Sequence, residues 1–344
     1  VVGRWPWPRA VYAELIEFFT MGGADAVVFD ILFPEQQIET GSDDNSRGND
    51  QRFIEATAAS NTYHAIQLFK EDEESGSPLN IPLPDNIITR HAVTTAEGFS
   101  DTGNNAFLLP FPGLYQKAQG LGVVEIAPDP DGVYRRVRPF TTYQGHTFPV
   151  LSIAPLLPRL SGTIRHAGNT INIADRKLPL DEEGFYSINM LQRFEPYSAS
   201  GIIASIQKLH SGEVEKLLVY PDEFEGKIVF IGASAIGIQD IKATPLSATM
   251  PGIYLHASMA SNILNNRMLH PLGNGWGVLF ICLFSLLTAF STLASSQLYR
   301  QTLLPLILVL LYGVWTVSQF GNGIVYPMAA PVIAILTSWL GSAL

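Results

Sequence analysis

The chain has 344 residues, with 21 basic and 31 acidic side chains, a formal net charge of −10 and a single cysteine. Every charged residue except Arg300 lies in the first 270 positions, which therefore carry 20 basic against 31 acidic side chains and a net charge of −11. So acidic a segment argues against nucleic acid and anionic lipid as its partners, and because Cys282 lies outside it, it cannot form an internal disulfide bond.

The first elements predicted along the chain are those of a buried α/β structure. The spacing of apolar residues predicts an amphipathic helix over Tyr12–Phe19. The apolar run Ala26–Phe33 predicts a strand covered on both faces, which is typical of parallel sheets. A polar loop over Gly41–Asp50 leads to a predicted helix over Gln51–Ala59, and a second, acidic and proline-rich loop follows at Glu71–Asn86.

Two hairpins are predicted in the middle of the chain. The strand Leu121–Ile126 and the extended segment Val133–Phe140 flank the turn Pro128–Gly132, so we expect them to pair. Apolar and polar residues alternate in Thr170–Ile173 and in Phe185–Asn189, which predicts a second hairpin with one face in solvent.

A buried strand is predicted over Lys227–Ile231, and a helix over Ile253–Asn265 leads from it towards the apolar end of the chain. Strands of the buried, parallel type thus occur together with hairpins and flanking helices. Residues 1–270 are therefore predicted to form an α/β (mixed α+β) domain with a mixed sheet.

Residues 271–344 are predicted to form a membrane region. The apolar runs Gly275–Ala294, Leu303–Phe320 and Ile324–Leu344 contain 20, 18 and 21 residues. About 20 helical residues cross a hydrocarbon core of about 30 Å, so each run is long enough to be a span. An odd number of crossings places the soluble domain and whatever follows the third span on opposite sides of the membrane.

The charges near the spans leave their orientation open. Arg300 lies between the first two predicted spans and Arg267 precedes the first span on the other side, so the positive-inside tendency counts one against one. The three spans contain no acidic or basic side chain that would mark an ion or proton path. Transport is therefore not the predicted activity.

A glycine-containing segment, Gly232–Gly237, follows the last predicted strand, where a phosphate-binding loop would lie. Ser234 stands in place of the second glycine of the dinucleotide fingerprint, and the lysine of the P-loop is absent. The nucleophile elbow requires glycine two residues after the serine, and Ile236 stands there. The segment is either a plain turn or a loop whose Ser234 hydroxyl contacts a ligand, and the sequence leaves both open.

No metal ion or cofactor is predicted. Asp43, Asn45 and Gly48 match positions of an EF-hand loop, but Ile54 replaces its bidentate carboxylate. The seven histidines include no pair at a zinc-binding spacing. These patterns therefore do not support a calcium or zinc site.

Asp30 is the most notable carboxylate, because a charge in an apolar strand requires a partner or a solvated strand end. It is either a hydrogen-bonded structural residue or a pocket residue. The second possibility arises because ligands of open α/β sheets collect at the carboxyl ends of the strands.

Several blocks of sequence together carry a family resemblance: Trp5–Arg9, Val28–Phe33, Asp50 with Phe53 and Ala56, the turn Pro128–Arg136, and Gly226–Ser234 with Asp240, Thr244-Pro245, Pro251-Gly252 and His256. In this order they resemble the type-two CHASE domain, the cyclase- and histidine-kinase-associated extracellular sensor. The resemblance covers essentially the whole chain, and three trailing spans are also typical of the family. We expect a first membrane helix and an early strand to precede Trp5.

The resemblance implies a bacterial sensor in the inner membrane, with residues 1–270 outside the cytoplasm and an output domain after Leu344 on the inside. A nucleotide cyclase, or else a histidine or Ser/Thr kinase, would be that output domain, and no catalysis is expected in this chain. The implied partners are the lipid bilayer, a small-molecule or protein ligand, and a second copy in a homodimer. The Arg300 loop would then lie inside and the Gly321–Gly323 hairpin outside.

The family supplies no catalytic residue, so ligand-facing positions are inferred from the strand ends. We predict that Asp30, Gly232, Ser234, Asp240 and His256 contact the ligand. Two other functions stay open. One is a membrane-anchored enzyme that uses Asp30, Ser234 and His256, and the other is a structural anchor that binds a protein partner but no small molecule.

Overall fold

The computed structural model describes residues 6–37, 45–70, 82–93, 96–160, 162–191, 193–234, 240–294 and 297–343. The α-helices are α1 (Arg9–Met21), α2 (Asn45–Ala58), α3 (Asp85–His91), α4 (Pro112–Lys117), α5 (Ala199–His210), α6 (Ile253–Leu264), α7 (Asn274–Leu293), α8 (Leu298–Gly321) and α9 (Ala329–Ala343). The β-strands are β1 (Ala26–Asp30), β2 (Thr62–Phe69), β3 (Ala96–Glu97), β4 (Ala106–Leu108), β5 (Gly120–Val123), β6 (Arg136–Val137), β7 (Phe140–Tyr143), β8 (His146–Pro149), β9 (Ile164–Ala167), β10 (Thr170–Ile173), β11 (Arg176–Pro179), β12 (Tyr186–Ser187), β13 (Ile228–Gly232), β14 (Ile241–Lys242), β15 (Met250–Pro251), β16 (His270–Pro271) and β17 (Ile324–Val325).

The centre of the soluble part is a parallel sheet with strand order β13-β1-β2-β5, to which β4 adds in antiparallel orientation along β2. The predicted mixed sheet with flanking helices is thereby confirmed. Val27, Val28 and Phe29 in β1 are at most 2% exposed, as expected for a continuous apolar strand covered on both faces. The register places Asp30 opposite Gly232, so β1 and β13 end at the same edge of the sheet.

Helices α1 and α2 pack against one face of the sheet through a cluster of aromatic rings. Tyr12 of α1 lies edge-on to Phe29 and Phe33, with ring centroids 6.0 and 5.1 Å apart, and Phe53 of α2 closes the cluster. His64 of β2 stacks on Phe29 at 5.2 Å. Because aromatic rings bury large apolar areas, this cluster holds both helices against β1.

The middle of the chain forms antiparallel pairs that differ from the predicted hairpins. β6 pairs with β12 instead of β5, and β10 pairs with its neighbours β9 and β11. Both predicted pairings are therefore wrong. Ala174 turns the chain with φ 53° directly after β10, which brings β11 back beside it. Arg136 forms ion pairs with both Asp129 and Asp181, which hold β6 beside the segment that precedes β12.

Some element boundaries also differ from the prediction. β1 ends at Asp30, three residues earlier than predicted. Helices α2 and α3 begin at Asn45 and Asp85, inside the two predicted loops, and in α3 the acidic Asp85 lies in the first turn, where the helix dipole favours a negative charge. Segments 38–44 and 71–81 lie outside the described residues, and with them the first position of the EF-hand match.

Three apolar helices end the described chain. α7 and α8 are long and apolar enough to cross a membrane over Gly275–Leu293 and Gln301–Gly321, whereas α9 is shorter, with 15 residues. The third predicted span begins later than expected, because Ile324–Val325 forms a strand with β16 and Pro327 delays the helix. Arg300 falls in the first turn of α8 instead of the predicted loop, and its side chain lies outside the described part.

The short helix α9 runs alongside α7 in the same direction. β16 and β17 pair in parallel, so the helices that follow them start from one level. Ser338 of α9 donates a hydrogen bond to the carbonyl oxygen of Ser285 in α7 at 2.9 Å. Five residues follow Ser338 in α9 and eight follow Ser285 in α7. Because a helix rises 1.5 Å per residue, the described part of α9 reaches within about one turn of the end of α7.

Candidate functional site

Four of the five predicted ligand residues meet at the carboxyl edge of the parallel sheet. Asp30 and Gly232 end their paired strands there. Asp240 returns the chain to this edge, and its carbonyl oxygen accepts a hydrogen bond from the Gly252 N–H at 3.0 Å. Helix α6 begins one residue later and carries His256. The charge of Asp240 acts on the pKa of both Asp30 and His256, which places the three side chains near one another.

The buried carboxyl group of Asp30 is only partly satisfied. Its Oδ2 atom has no hydrogen-bond partner among the described residues. Burial, and then the charge of Asp240, raises the pKa of Asp30 to about 7, although Lys242 lowers it. At neutral pH the group therefore exchanges readily between an acceptor-only carboxylate and an acid that can donate. Such a group suits a pocket better than a saturated structural position.

Lys242 and Glu125 join this site, and neither was predicted from the sequence. Lys242 Nζ lies 3.2 Å from Asp240 Oδ1 and 5.0 Å from the ring centroid of Tyr134. Burial raises the pKa of Glu125, and the charge of Lys242 opposes this. Glu125 lies two residues beyond the end of β5, at the edge where Asp30 ends β1, so the same rule should have identified it. Asp30, Glu125, Asp240, Lys242 and His256 are called the strand-end cluster below.

His256 is a buried residue whose two ring nitrogens both have partners. Nε2 donates to the carbonyl oxygen of Val124 at 3.2 Å, so Nδ1 is left to accept the hydroxyl proton of Ser152 at 2.9 Å. Burial lowers the pKa of His256 to about 4, so the ring is neutral near pH 7. This arrangement anchors α6 to the sheet, and it gives the histidine a serine partner other than the Ser234 of the enzyme hypothesis.

Ser234 is exposed two residues beyond β13, and residues 235–239, which follow it, lie outside the described residues. The glycines of the site have a packing role. A β-carbon on Gly232 would lie 2.7 Å from the Ile253 side chain, and one on Gly252 would overlap the Asp240 carboxylate. Both positions therefore require glycine if α6 is to pack this closely on β13.

Comparison with known proteins gives one family. The CHASE2 domain matches residues 1–291 of this chain. The chain belongs to the CHASE2 family. CHASE2 is an extracellular sensory domain of receptors, which confirms the resemblance found in the sequence and the sensory class of function. No curated protein and no solved structure matches the chain.

Within the described part of this CHASE2 domain, no group of three or more His, Cys, Asp and Glu side chains is arranged to hold a metal ion. The charges of the strand-end cluster are instead arranged around Lys242. A cation at this place stabilises ionised carboxylates next to a carboxyl group that is partly protonated. The cluster is thus suited to hydrogen bonding with a polar ligand and to proton exchange.

The Pro128–Arg136 turn of the CHASE2 domain is built from ion pairs. Arg135 contacts Asp129 at 3.0 Å and Asp131 at 2.7 Å, and Arg136 contacts Asp129 at 2.8 Å and Asp181 at 2.6 Å. Tyr134 lies between these acids and arginines in the sequence, and its N–H donates to the carbonyl oxygen of Ala243 at 2.8 Å. The turn is therefore tied to the segment that carries Lys242.

Proposed function

We propose that this CHASE2 domain is the input and transmembrane part of a bacterial receptor in the inner membrane, with an output domain on the cytoplasmic side. The observation that carries the direction of signalling is the position of α9 along α7. Both helices start from the β16–β17 pair and run the same way, and the described part of α9 reaches nearly the depth at which α7 ends. This supports three crossings, after which the chain leaves the membrane on the side opposite the sensor.

The outer faces of the helices support the lipid bilayer as a partner. Leu286, Phe290 and Leu293 of α7 are 71%, 75% and 77% exposed, and Leu310 and Val317 of α8 are 65% and 67% exposed. Large apolar side chains this exposed on long apolar helices match a hydrocarbon solvent. The acidic soluble part would lie on the extracytoplasmic side, away from the anionic lipids of the cytoplasmic leaflet.

The three crossings predict the result of a topology experiment. Alkaline phosphatase and green fluorescent protein are fused in turn after Asn322 and after Ala343 in the full chain, which is preceded by an added export signal. We expect phosphatase activity only after Asn322 and fluorescence only after Ala343, because phosphatase folds outside and the fluorescent protein inside. Fluorescence at Asn322 and phosphatase activity at Ala343 would reverse the orientation, and equal reporters at both sites would contradict a third crossing.

The proposed signal begins with a small-molecule or protein ligand at the strand-end cluster and Ser234, and it reaches the output through α6 and α7. We propose a homodimer, because rearrangement of two neighbouring sets of spans changes the distance between two output domains. The ligand must bind one arrangement more tightly than the other to shift their populations. The proposed output is a nucleotide cyclase, or a histidine or Ser/Thr kinase, encoded after Leu344, and a stop codon there would contradict it.

Replacing Ser234 or His256 separates the receptor from the enzyme hypothesis. In an enzyme that uses these residues, Ser234→Ala is expected to abolish turnover, since the nucleophile is lost. In the receptor it is expected to alter only the dose response or basal level of the output. His256→Ala is the less specific variant, because it also leaves Ser152 and the Val124 carbonyl unpaired. Measuring the output against ligand dose in Ser234→Ala therefore decides between the receptor and the enzyme. Capture of a protein partner, without any response to a small molecule, would favour the anchor hypothesis.

A further inference from the structure

A cavity of about 450 Å³ lies between the antiparallel strands of the CHASE2 domain, apart from the strand-end cluster. Its walls come from segment Phe99–Thr102, the strand connection Arg138–Phe140, the β9–β10 turn and the turn Leu180–Gly184. The volume lies within the range of small-molecule pockets. Both charged and aromatic side chains line it, so its chemistry can be read from their partners.

Arg138 is a cation in this cavity that has no carboxylate partner among the described residues. Its guanidinium lies 4.6 Å from the ring centroid of Phe185, and a β-carbon on Gly184 would lie 3.6 Å from its Nη1 atom. Arg136 lies over the same ring at 5.1 Å, but its donors are taken by Asp129 and Asp181. The N–H groups of Arg138 are therefore available, and their planar fork matches a carboxylate.

Each acidic side chain of the cavity already has a partner. Asp181 pairs with Arg136 and accepts from the N–H groups of Glu183 and Phe185, and Glu183 also pairs with Arg136. Asp101 accepts from the Gly103 N–H at 2.9 Å. The cavity is thus not a general cation-binding site. The carboxylates still surround it with negative potential, which disfavours a ligand that carries two negative charges.

Aromatic rings form the apolar wall. Phe99 lies 5.1 Å from Phe140 and stacks on His166 at 5.5 Å, centroid to centroid. The Nδ1 atom of His166 donates to the carbonyl oxygen of Gly98 at 3.1 Å, so its Nε2 atom is the acceptor in the neutral ring. The cavity therefore offers a fork for one carboxylate, carboxylates that attract an ammonium group, and an apolar surface for a side chain.

We propose that this cavity binds a zwitterionic ligand of the amino-acid class, with its carboxylate on Arg138 and its ammonium group facing Glu182. The same Glu182 adjoins the membrane helices, since a β-carbon on Gly273 would lie 3.6 Å from its Oε1 atom, and α7 begins at the next residue. A carboxylate at a helix N-terminus is stabilised by the helix dipole. We therefore expect ligand binding to draw on a carboxylate that lies beside the start of α7. This consequence rests on the proposed receptor function, whereas binding itself does not.

Isothermal titration of the full chain in lipid nanodiscs tests binding, with glycine, L-leucine, L-phenylalanine, L-glutamate and L-lysine as separate probes and acetate and ethylamine as half-ligands. We expect a neutral amino acid to bind better than L-glutamate and better than either half-ligand. Arg138→Gln should weaken binding about tenfold or more, because a charged hydrogen-bonded pair is lost. Arg165→Gln, which removes an exposed arginine paired with Glu97, should leave binding unchanged.

Thermal unfolding of the two variants verifies that they fold, and Arg138→Lys, which keeps the charge without the fork, should bind with intermediate affinity. If none of the probes binds, or if Arg138→Gln binds as tightly as wild type, the cavity is not the proposed binding site. If acetate binds as tightly as an amino acid, the ligand need not be zwitterionic and that part of the proposal is overturned. The link to α7 is tested by maleimide labelling of Gly273→Cys in a Cys282→Ser background. A labelling rate that the bound amino acid does not change overturns that link while the isotherm still reports the site.

Discussion

Replacing Asp30 by Asn is expected to stabilise the CHASE2 domain at pH 8 by roughly 4 kcal/mol, since its pKa moves from an ordinary 3.8 to about 7 on folding and each unit is worth about 1.4 kcal/mol. The folded state binds this proton more tightly than the unfolded state does. The resulting stability is fully present below pH 4 and is lost as the pH rises through 7. Asparagine resembles the protonated acid, so the variant avoids that loss.

The measurement is the melting temperature of the full chain in nanodiscs, wild type against Asp30→Asn, from pH 8 down to pH 4. We expect a difference of about 10 °C at pH 8, at about 2–4 °C per kcal/mol for a domain of this size, falling towards zero near pH 4. Asp175→Asn is the control, because the Asp175 side chain is 79% exposed, and it should shift the melting temperature little at any pH. A pH-independent difference would contradict a buried, protonated Asp30.

Comparing wild type with Asp30→Asn at the same pH also cancels the pH-dependent stability that the buried histidines contribute. That contribution changes with pH in the opposite direction to that of Asp30. Burial lowers the pKa of His64 to about 3 and that of His256 to about 4. Their neutral forms stabilise the fold above the ordinary histidine pKa of 6.5, and this stability is lost as the pH falls towards 4 and 3. The wild-type domain is therefore expected to lose stability on both sides of an intermediate pH.

Asn262→Ala is expected to destabilise the domain by about 3 kcal/mol. Asn262 is 2% exposed on α6, and its side chain accepts from the Asn189 N–H and donates to the Asn189 carbonyl oxygen, each at 2.9 Å. The Tyr186 hydroxyl also donates to it at 3.3 Å. Alanine would leave these groups without their partner, and each unsatisfied buried group costs about 1–3 kcal/mol.

The matched control is Asn265→Ala, one turn further along the chain. Asn265 is exposed and donates only to Ser261 within its own helix, so we expect a change within about 0.5 kcal/mol. Melting temperatures in nanodiscs should therefore fall by about 10 °C for Asn262→Ala and remain nearly constant for Asn265→Ala. Equal melting temperatures for both variants would mean that Asn262 does not hold the Tyr186–Asn189 segment on α6.

The hydrogen bonds between Asn262 and the Tyr186–Asn189 segment lie on the proposed signalling route to the membrane. The Asn189 side chain donates to the carbonyl oxygen of Arg267 at 3.2 Å, and α7 begins seven residues after Arg267. In a receptor with its output attached, Asn262→Ala is therefore expected to weaken the response to ligand as well as stability, whereas Asn265→Ala should leave both unchanged.

Strands and helices with strong local patterns were predicted well. The continuous apolar runs at β1 and β13 and the periodic spacing in α1 and α6 appear in the structure, because burial on one or both faces is written into neighbouring residues. The strand-end rule brought Asp30, Gly232, Asp240 and His256 to one edge. It did not identify Lys242, which reaches the edge on the short strand β14.

The pairing of strands was predicted poorly. β6 and β10 were recognised as extended segments and were assigned the wrong neighbours, because pairing depends on turns such as that at Ala174 and on ion pairs such as Arg136–Asp181 between distant residues. The hydrogen bond between Ser152 and His256 joins residues 104 positions apart, and no local signal indicates it.

The sequence by itself determined that an acidic soluble domain precedes an almost uncharged apolar region, and its blocks were enough to indicate the CHASE2 family. Hydropathy and charge act residue by residue, so they can be read without coordinates. Only the tertiary structure decided that α9 begins at Ala329 and lies along α7, that Asp30 is buried beside Asp240 and Lys242, and that Glu182 lies at the start of α7. Each of these depends on contacts between segments far apart in the chain, which the packing of the folded molecule brings together.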